Sequence, residues 1–206
     1  MNILGKKIHS EFWFPQQIII CQDLDYKNIK TKILDYCKKK QKKDTTGRQH
    51  SNCLGWQSED IFNENENKWI FDYITENVKP SFSTQFKFKD NTNFYINNLW
   101  INISQKYSSN DYHIHNGSDY SGCLYVQCDS NSGPIKFNPN ITNNTDWMNF
   151  LHDDYKQTYH IYPSLEINPQ EGMLLLFPSY LMHKVNNNIS NKERISIPFN
   201  INFKKL

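Results

Sequence analysis

Three histidines carry the strongest chemical signal in this 206-residue chain. His113 and His115 stand two apart in DYHIHN, and His183 follows 68 residues after His115 in SYLMHKV. Side chains alternate along a strand, so both imidazoles of an H-x-H pair point to one face. A His-x-acidic pair with a distant third histidine is the facial arrangement that holds a non-haem Fe(II) and leaves positions open for oxygen and substrate. In the usual set the second position is acidic; here it is a histidine. Taken alone, H-x-H also suits a purely structural pair. Arg194 and Ser196 raise the odds of chemistry. They follow His183 by 11 and 13 residues in RISIPFNI. Ile195, Ile197 and Phe199 alternate with Arg194, Ser196 and Pro198. If the apolar set packs one face, the guanidinium and hydroxyl face a barrel interior. An interior arginine needs an anion, and a dicarboxylate cosubstrate would supply one. The other four histidines, His9, His50, His152 and His160, lack ligand neighbours and read as ordinary surface or loop residues.

These groups need a scaffold, and the pattern supplies two kinds of element. Ile29, Ile33, Tyr36 and Cys37 fall at helical spacing within Leu24 to Lys43. A second helix is predicted from about Asn65 to Val78, with Trp69, Ile70, Tyr73, Ile74 and Val78 as its stripe. Pro80 is expected to end it. From residue 84 the period changes to two. Strands are predicted at 84–89, 94–104, 111–116, 121–128, 134–138, 159–167, 173–178, 181–186 and 193–203. Many short strands argue for a sandwich or barrel. Residues 139–158 interrupt the rhythm and are expected to form a loop or short helix over a pocket mouth. One domain over 1–206 is predicted: an N-terminal helical and loop layer, 1–83, on a β core, 84–206.

Composition narrows the function. Aromatic residues make up 15% of the chain, so rings can build the core where aliphatics are sparse. They are expected to line and seal the barrel. The 23 basic and 21 acidic residues balance too evenly for a dedicated nucleic-acid binder. No apolar stretch is long enough to span a membrane, and residues 1–9 lack a signal core. Five cysteines without a CxxC pair fit a reduced, cytoplasmic protein and exclude a structural zinc knot.

Six segments together resemble a known family. They are SNCLGWQS (51–58), NLWINI (98–103), HIHNGSDYSGCLYV (113–126), PIKFNPN (134–140), NPQEGMLLLFPSYLMHKV (168–185) and RISIPFNINF (194–203). In order and spacing they are similar to the 2-oxoglutarate/Fe(II)-dependent oxygenases of phage and marine-bacterial type. The resemblance implies a mainly β fold, a double-stranded β-helix (jelly-roll, cupin-like) with flanking helices. It also implies a dioxygenase that hydroxylates a small-molecule or peptide substrate with molecular oxygen, in the cytoplasm, which for a phage-encoded protein is that of a host cell. His113, His115 and His183 would be the metal ligands. Asp119 or Asp111 is a less favoured third ligand. Arg194 would bind the distal carboxylate of 2-oxoglutarate, with Ser196 as second donor. Tyr125 and Asn102 would also contact the cosubstrate, and Trp100 and Trp56 the substrate pocket. Trp56 reads as a core anchor or a cap. Substrate choice would lie in loops such as 38–58 and 139–158. Jelly-roll enzymes often pair through edge strands, so a homodimer is an expected assembly. Two other readings stand beside this one: a three-histidine cupin-type dioxygenase that works without 2-oxoglutarate, and a non-catalytic jelly-roll binding module.

Overall fold

The alternation of apolar and polar residues along the C-terminal segment builds the longest strand, β14 (Arg194–Lys205), and two sheets form around it. The computed structural model describes residues 2–3, 6–7, 16–23, 25–62, 65–138 and 146–205. The first two strands, β1 (Asn2–Ile3) and β2 (Lys6–Lys7), form a separate two-stranded sheet. The major sheet contains β3 (Ile19–Gln22), β5 (Trp56–Gln57), β6 (Thr92–Leu99), β7 (Asn102–Ser104), β9 (Tyr120–Gln127), β12 (Met173–Pro178) and β14. Its order is β3-β12-β9-β14-β7-β5, with β6 continuing the line of β7 along β14. The minor sheet runs β11-β10-β13-β8-β4, with β4 (Asn52–Cys53), β8 (Ser109–His113), β10 (Ile135–Phe137), β11 (Leu165–Ile167) and β13 (His183–Val185). All pairings are antiparallel.

Helices α1 (Lys27–Lys43) and α2 (Lys68–Gln85) cover the outer face of the major sheet. Ile33, Tyr36 and Cys37 of α1 and Ile70, Ile74, Val78 and Phe82 of α2 pack there with Ile195, Ile197, Phe199 and Ile201 of β14. Gly122 allows this close packing, because a Cβ at that position would overlap the Phe199 ring. A second cluster, with Tyr125, Ile135, Phe137, Leu175 and Phe177, lies between the sheets.

The structure corrects several expectations. Pro80 does not end α2, which continues to Gln85, so 84–89 is helix end and loop rather than strand. Breaking a helix with proline costs about 3 kcal/mol. Burial of Ser81 and Phe82 offsets that cost, and Phe82 touches the rings of Phe86, Phe88, Phe94, Tyr120 and Phe203. This aromatic cluster seals the helix–sheet seam. Of the expected barrel-sealing rings, Phe137 and Phe177 are the two against His183. The N-terminal layer is not only helix and loop: β3, β4 and β5 join the core sheets, and they are too short to show a period. The predicted strand 94–104 is split at Trp100 and Ile101, where Ile101 N–H donates to Ser58 Oγ at 2.9 Å. Pro198 lies opposite the break. Its carbonyl accepts from Trp100 N–H at 3.1 Å, and its missing N–H faces the same side, where no ladder bond is needed. Predicted strand 159–167 shrinks to β11 behind α3 (Asp153–Tyr159). Residues 139–145 lie outside the described residues.

Candidate active site

The three histidines converge although only two sit in strands. His113 ends β8 and pairs directly across from His183, which begins β13. On the other side of His183 the register partner is Phe137. His115 lies two residues beyond the strand end, held by its N–H donating to the Ser179 carbonyl at 2.9 Å. One nitrogen of each imidazole lies within 4.8 Å of those of the other two. The His113 and His183 ring centres are 4.3 Å apart, and His115 stacks on His183 at 5.2 Å.

Their protonation suits a metal. His113 Nδ1–H donates to the Asp111 carbonyl at 2.7 Å and His183 Nδ1–H to the Leu181 carbonyl at 2.8 Å. A carbonyl can only accept, so the tautomer is fixed and the Nε2 lone pair is left for a ligand bond. Burial lowers all three pKa values, His183 to about 3 and His115 to about 4, with repulsion from His113 adding to both. Neutral imidazoles with oriented lone pairs fit a divalent first-row ion. Neither candidate carboxylate joins them. Asp111 faces Cys53 Sγ at 3.4 Å, and Asp119 Oδ2 accepts the N–H of Phe203 at 2.8 Å.

A cavity of about 830 Å³ opens on these histidines. Arg194, Ser196, Tyr125, Asn102 and Trp100 line it; Trp56 does not. The Trp56 indole instead donates to the Asp44 carbonyl at 2.7 Å and packs in the helix–sheet core, so it is the anchor and not the cap. Arg194 is 3% exposed. Its Nη1 donates to the carbonyls of Ser132, Gly133 and Asn186, and its Nη2 to Ser104 Oγ at 3.3 Å. Gly133, with φ of 78°, makes the turn that presents two of those carbonyls. Glu193 pairs with Lys38 and Asp153 with Lys156, so neither carboxylate neutralises the guanidinium. Burial lowers the Arg194 pKa, the cost of a desolvated cation. Burial pushes Cys123 up to about 12 and Tyr125 well above its ordinary value, so both neighbours stay protonated and neutral. This end of the cavity is a buried positive charge ringed by neutral donors.

Several lining residues lie outside the set expected from the sequence. Ser104, Asn98 and Asn200 line the cavity, and their signal was parity: 98, 100, 102 and 104 on one chain segment, 194, 196, 198 and 200 on the other. His50, expected to be an ordinary loop residue, sits on the rim. Residues 47–51 and 57–60 also line the cavity, whereas none of 146–158 does among the described residues.

Comparisons with known proteins bear on the family and the fold. The family model described as "Putative 2OG-Fe(II) oxygenase" matches residues 98–200, half of the chain. No curated protein matches in sequence. A prolyl hydroxylase from Trichoplax adhaerens, solved with a hypoxia inducible factor peptide, is similar in structure with a TM-score of 0.62 at 15% identity. The match covers 89% of this chain and 82% of that one. A Pseudomonas putida prolyl-4-hydroxylase gives 0.54 at 12% identity, over 88% and 91%. A Burkholderia pseudomallei oxidoreductase of the 2OG-Fe(II) oxygenase family gives 0.51 at 14%, over 68% of this chain and only 58% of that chain. Identities this low speak for the fold, which is the double-stranded β-helix. Among the described residues, no helix is long and apolar enough to cross a membrane. With the family match spanning the histidines, the arginine and the strands that carry them, the chain belongs to the 2OG-Fe(II) oxygenase family, whose members use Fe(II) and 2-oxoglutarate.

Proposed function

We propose that this protein is a 2-oxoglutarate- and Fe(II)-dependent dioxygenase that hydroxylates its substrate, with His113, His115 and His183 as metal ligands. Arg194 and Ser196 hold the distal carboxylate of 2-oxoglutarate, and Tyr125 and Asn102 contact its body. The observation that carries this reading is the buried Arg194 guanidinium, which has no carboxylate partner among the described residues and opens on the same cavity as the three imidazoles.

Bound at the imidazoles, Fe(II) supplies the oxygen-activating centre that couples decarboxylation of 2-oxoglutarate to oxidation of a substrate C–H. The protein's residues provide the rest. The carbonyls of Asp111 and Leu181 hold the Nδ1 protons of two ligands and so fix their lone pairs. Ser104 and three carbonyls fix the guanidinium before any anion arrives, which lowers the ordering cost of binding. Phe137 and Phe177 pack against His183 and keep water from that side of the site. Tyr125 and Cys123 stay neutral, so neither offsets the positive charge of Arg194 at that end of the cavity.

Anaerobic addition of Fe(II) and 2-oxoglutarate is the test. The expected results are a visible charge-transfer band and, with oxygen, succinate. Absence of both sinks the proposal. A set of three imidazoles also suits a thiol dioxygenase, which would consume oxygen with a thiol and without 2-oxoglutarate. The unpaired Arg194 beside Ser196 favours the first reading.

A further inference from the structure

The cavity floor is a ladder of cross-strand pairs, and its order along the strands separates two ends. Arg194 pairs with Ser104 and Ser196 with Asn102. Pro198 receives the N–H of Trp100, and Asn200 pairs with Asn98. All eight residues line the cavity. A strand advances about 3.3 Å per residue, so Pro198 lies about 13 Å and Asn200 about 20 Å from Arg194 along the strand. The metal ligands stand over the third rung, because the rings of Trp100 and His115 are 5.8 Å apart. The cosubstrate, held at Arg194, fills the first two rungs up to the metal. The fourth rung lies on the opposite side of the metal, where a substrate C–H must arrive.

That fourth rung has a definite chemistry. Asn98 lines the cavity, and its buried Oδ1 has no hydrogen-bond partner among the described residues, as is also true of Asn102 Oδ1 on the second rung. Such an orphan acceptor costs about 1–3 kcal/mol unless a donor meets it, so the position calls for a ligand N–H or O–H. Asn200 is 6% exposed, and its Oδ1 accepts from Ser121 Oγ at 2.7 Å. Ser121 is bonded in turn to Ser179 Oγ at 2.8 Å, and the Ser179 carbonyl holds the N–H of His115. This chain fixes the Asn200 carboxamide and leaves its Nδ2 to donate. The rung therefore offers one acceptor and one donor side by side, with the indole of Trp100 as the adjoining flat wall. The nearby charged side chains at the rim are already engaged. Arg48 pairs with Glu59, and Asp60 Oδ1 accepts the N–H groups of Phe62 and Leu99.

We propose that Asn98 and Asn200 form an amide-binding subsite beyond the metal, with Trp100 as its stacking wall. The substrate presents there a neutral planar edge with an adjacent N–H and C=O, as in a carboxamide or lactam. The assignment of the substrate side rests on the proposed function, because Arg194 must hold the cosubstrate at the other end.

The test uses isotope-labelled full-length protein loaded with zinc as a non-oxidising stand-in for iron. The probes are 2-pyrrolidinone and cyclopentanone, which share a ring and a carbonyl but differ in the N–H. We expect 2-pyrrolidinone to shift the Asn98 and Asn200 side-chain amide signals and the Trp100 indole signal. It should bind about fivefold to tenfold tighter than the ketone, the worth of one added hydrogen bond. Asn98→Leu should remove that preference. Equal binding of the two probes, a preference that survives Asn98→Leu, or shifts confined to the Arg194 end overturns the proposal. Asn200→Leu also loses the Ser121 bond and can unfold the site, so the deciding variant is Asn98→Leu, whose oxygen has no partner to lose. Titration of the same sample with 2-oxoglutarate, repeated on Arg194→Ala, tests the underlying reading separately. Cosubstrate binding without a lactam preference overturns the subsite alone. A lactam preference without cosubstrate binding supports the subsite and sinks the cosubstrate reading.

Discussion

The two walls of the cavity are built in opposite ways. The metal wall comes from the minor sheet, whose β8 and β13 are five and three residues long and meet across a register shift. The proposed ligands His113 and His183 sit at strand ends, and His115 sits past one. The floor comes from the major sheet, where the twelve-residue β14 runs against β6 and β7 and sets Arg194, Ser196, Pro198 and Asn200 into the cavity. Convergence of three lone pairs on a point needs short, irregular segments that can bend toward each other. Laying out an elongated ligand needs regular spacing along a line. The metal wall should thus be brittle to substitution of its ligands, and the floor graded.

The largest effect is expected on the metal wall. His183→Ala removes a ligand and leaves an apolar hole against Phe137 and Phe177. Iron content after dialysis should fall to background, and succinate formation more than about 100-fold, beyond the loss usual for a supporting residue. Retained iron would break the assignment of that wall. Next comes the charged end of the floor. Arg194→Ala should weaken 2-oxoglutarate binding about 100-fold or more, the cost of truncating a buried charge contact. Arg194→Lys should not restore it, because an ammonium cannot occupy the fork of three carbonyls and a hydroxyl. Calorimetric titration reads both. A smaller step down the same floor is Ser104→Ala. It removes one hydrogen bond to Nη2 and should raise the 2-oxoglutarate dissociation constant about threefold to tenfold, with iron content unchanged.

The same contrast explains what could be read from the sequence. Parity along 194–200 was legible because β14 is long and keeps its side-chain alternation there despite register shifts against its partners, and the stripes of α1 and α2 were legible because those helices are long too. Two residues of β4 or β5 have no period to read, so their place in the sheets was not. Pro80 misled because its local cost is visible in the sequence and the compensating burial of Phe82 is not. Trp56 misled because an aromatic near a pocket-lining loop looks alike whether its ring turns inward or under. Ser104 and the Asn98–Asn200 rung were missed although their spacing matched that of Trp100 and Asn102, because serine and asparagine carry no chemistry until a partner strand is known. The positions of His115 and Asp119 needed the backbone: the His115 N–H donates to the Ser179 carbonyl, which sets its imidazole beside the other two, and Asp119 accepts the N–H of Phe203 in β14.

The smallest expected effect separates the walls by pH alone. In the metal-free protein His113, His115 and His183 have pKa values lowered by burial from 6.5, the latter two to about 4 and about 3. Unfolding releases them to the ordinary value. Between pH 6.5 and about 4 the unfolded chain therefore binds protons that the folded chain refuses, and stability must rise with pH across that window. Above 6.5 neither state protonates them and their contribution is level. Each histidine adds at most about 1.4 kcal/mol per pH unit to the slope. Asp129 and Asp153, whose pKa values are lowered from 3.8 by hydrogen bonds, act in the same direction only near and below about pH 4. Urea midpoints of metal-free protein at pH 7, 6 and 5 isolate the histidines. The midpoint should fall from 7 to 5, and replacing all three with glutamine should flatten the fall. Arg194→Ala, on the opposite wall, changes no proton count in this window, so it should shift every midpoint and leave the slope as it was. A slope that follows Arg194 instead of the histidines would mean the walls are coupled and the division between them is wrong.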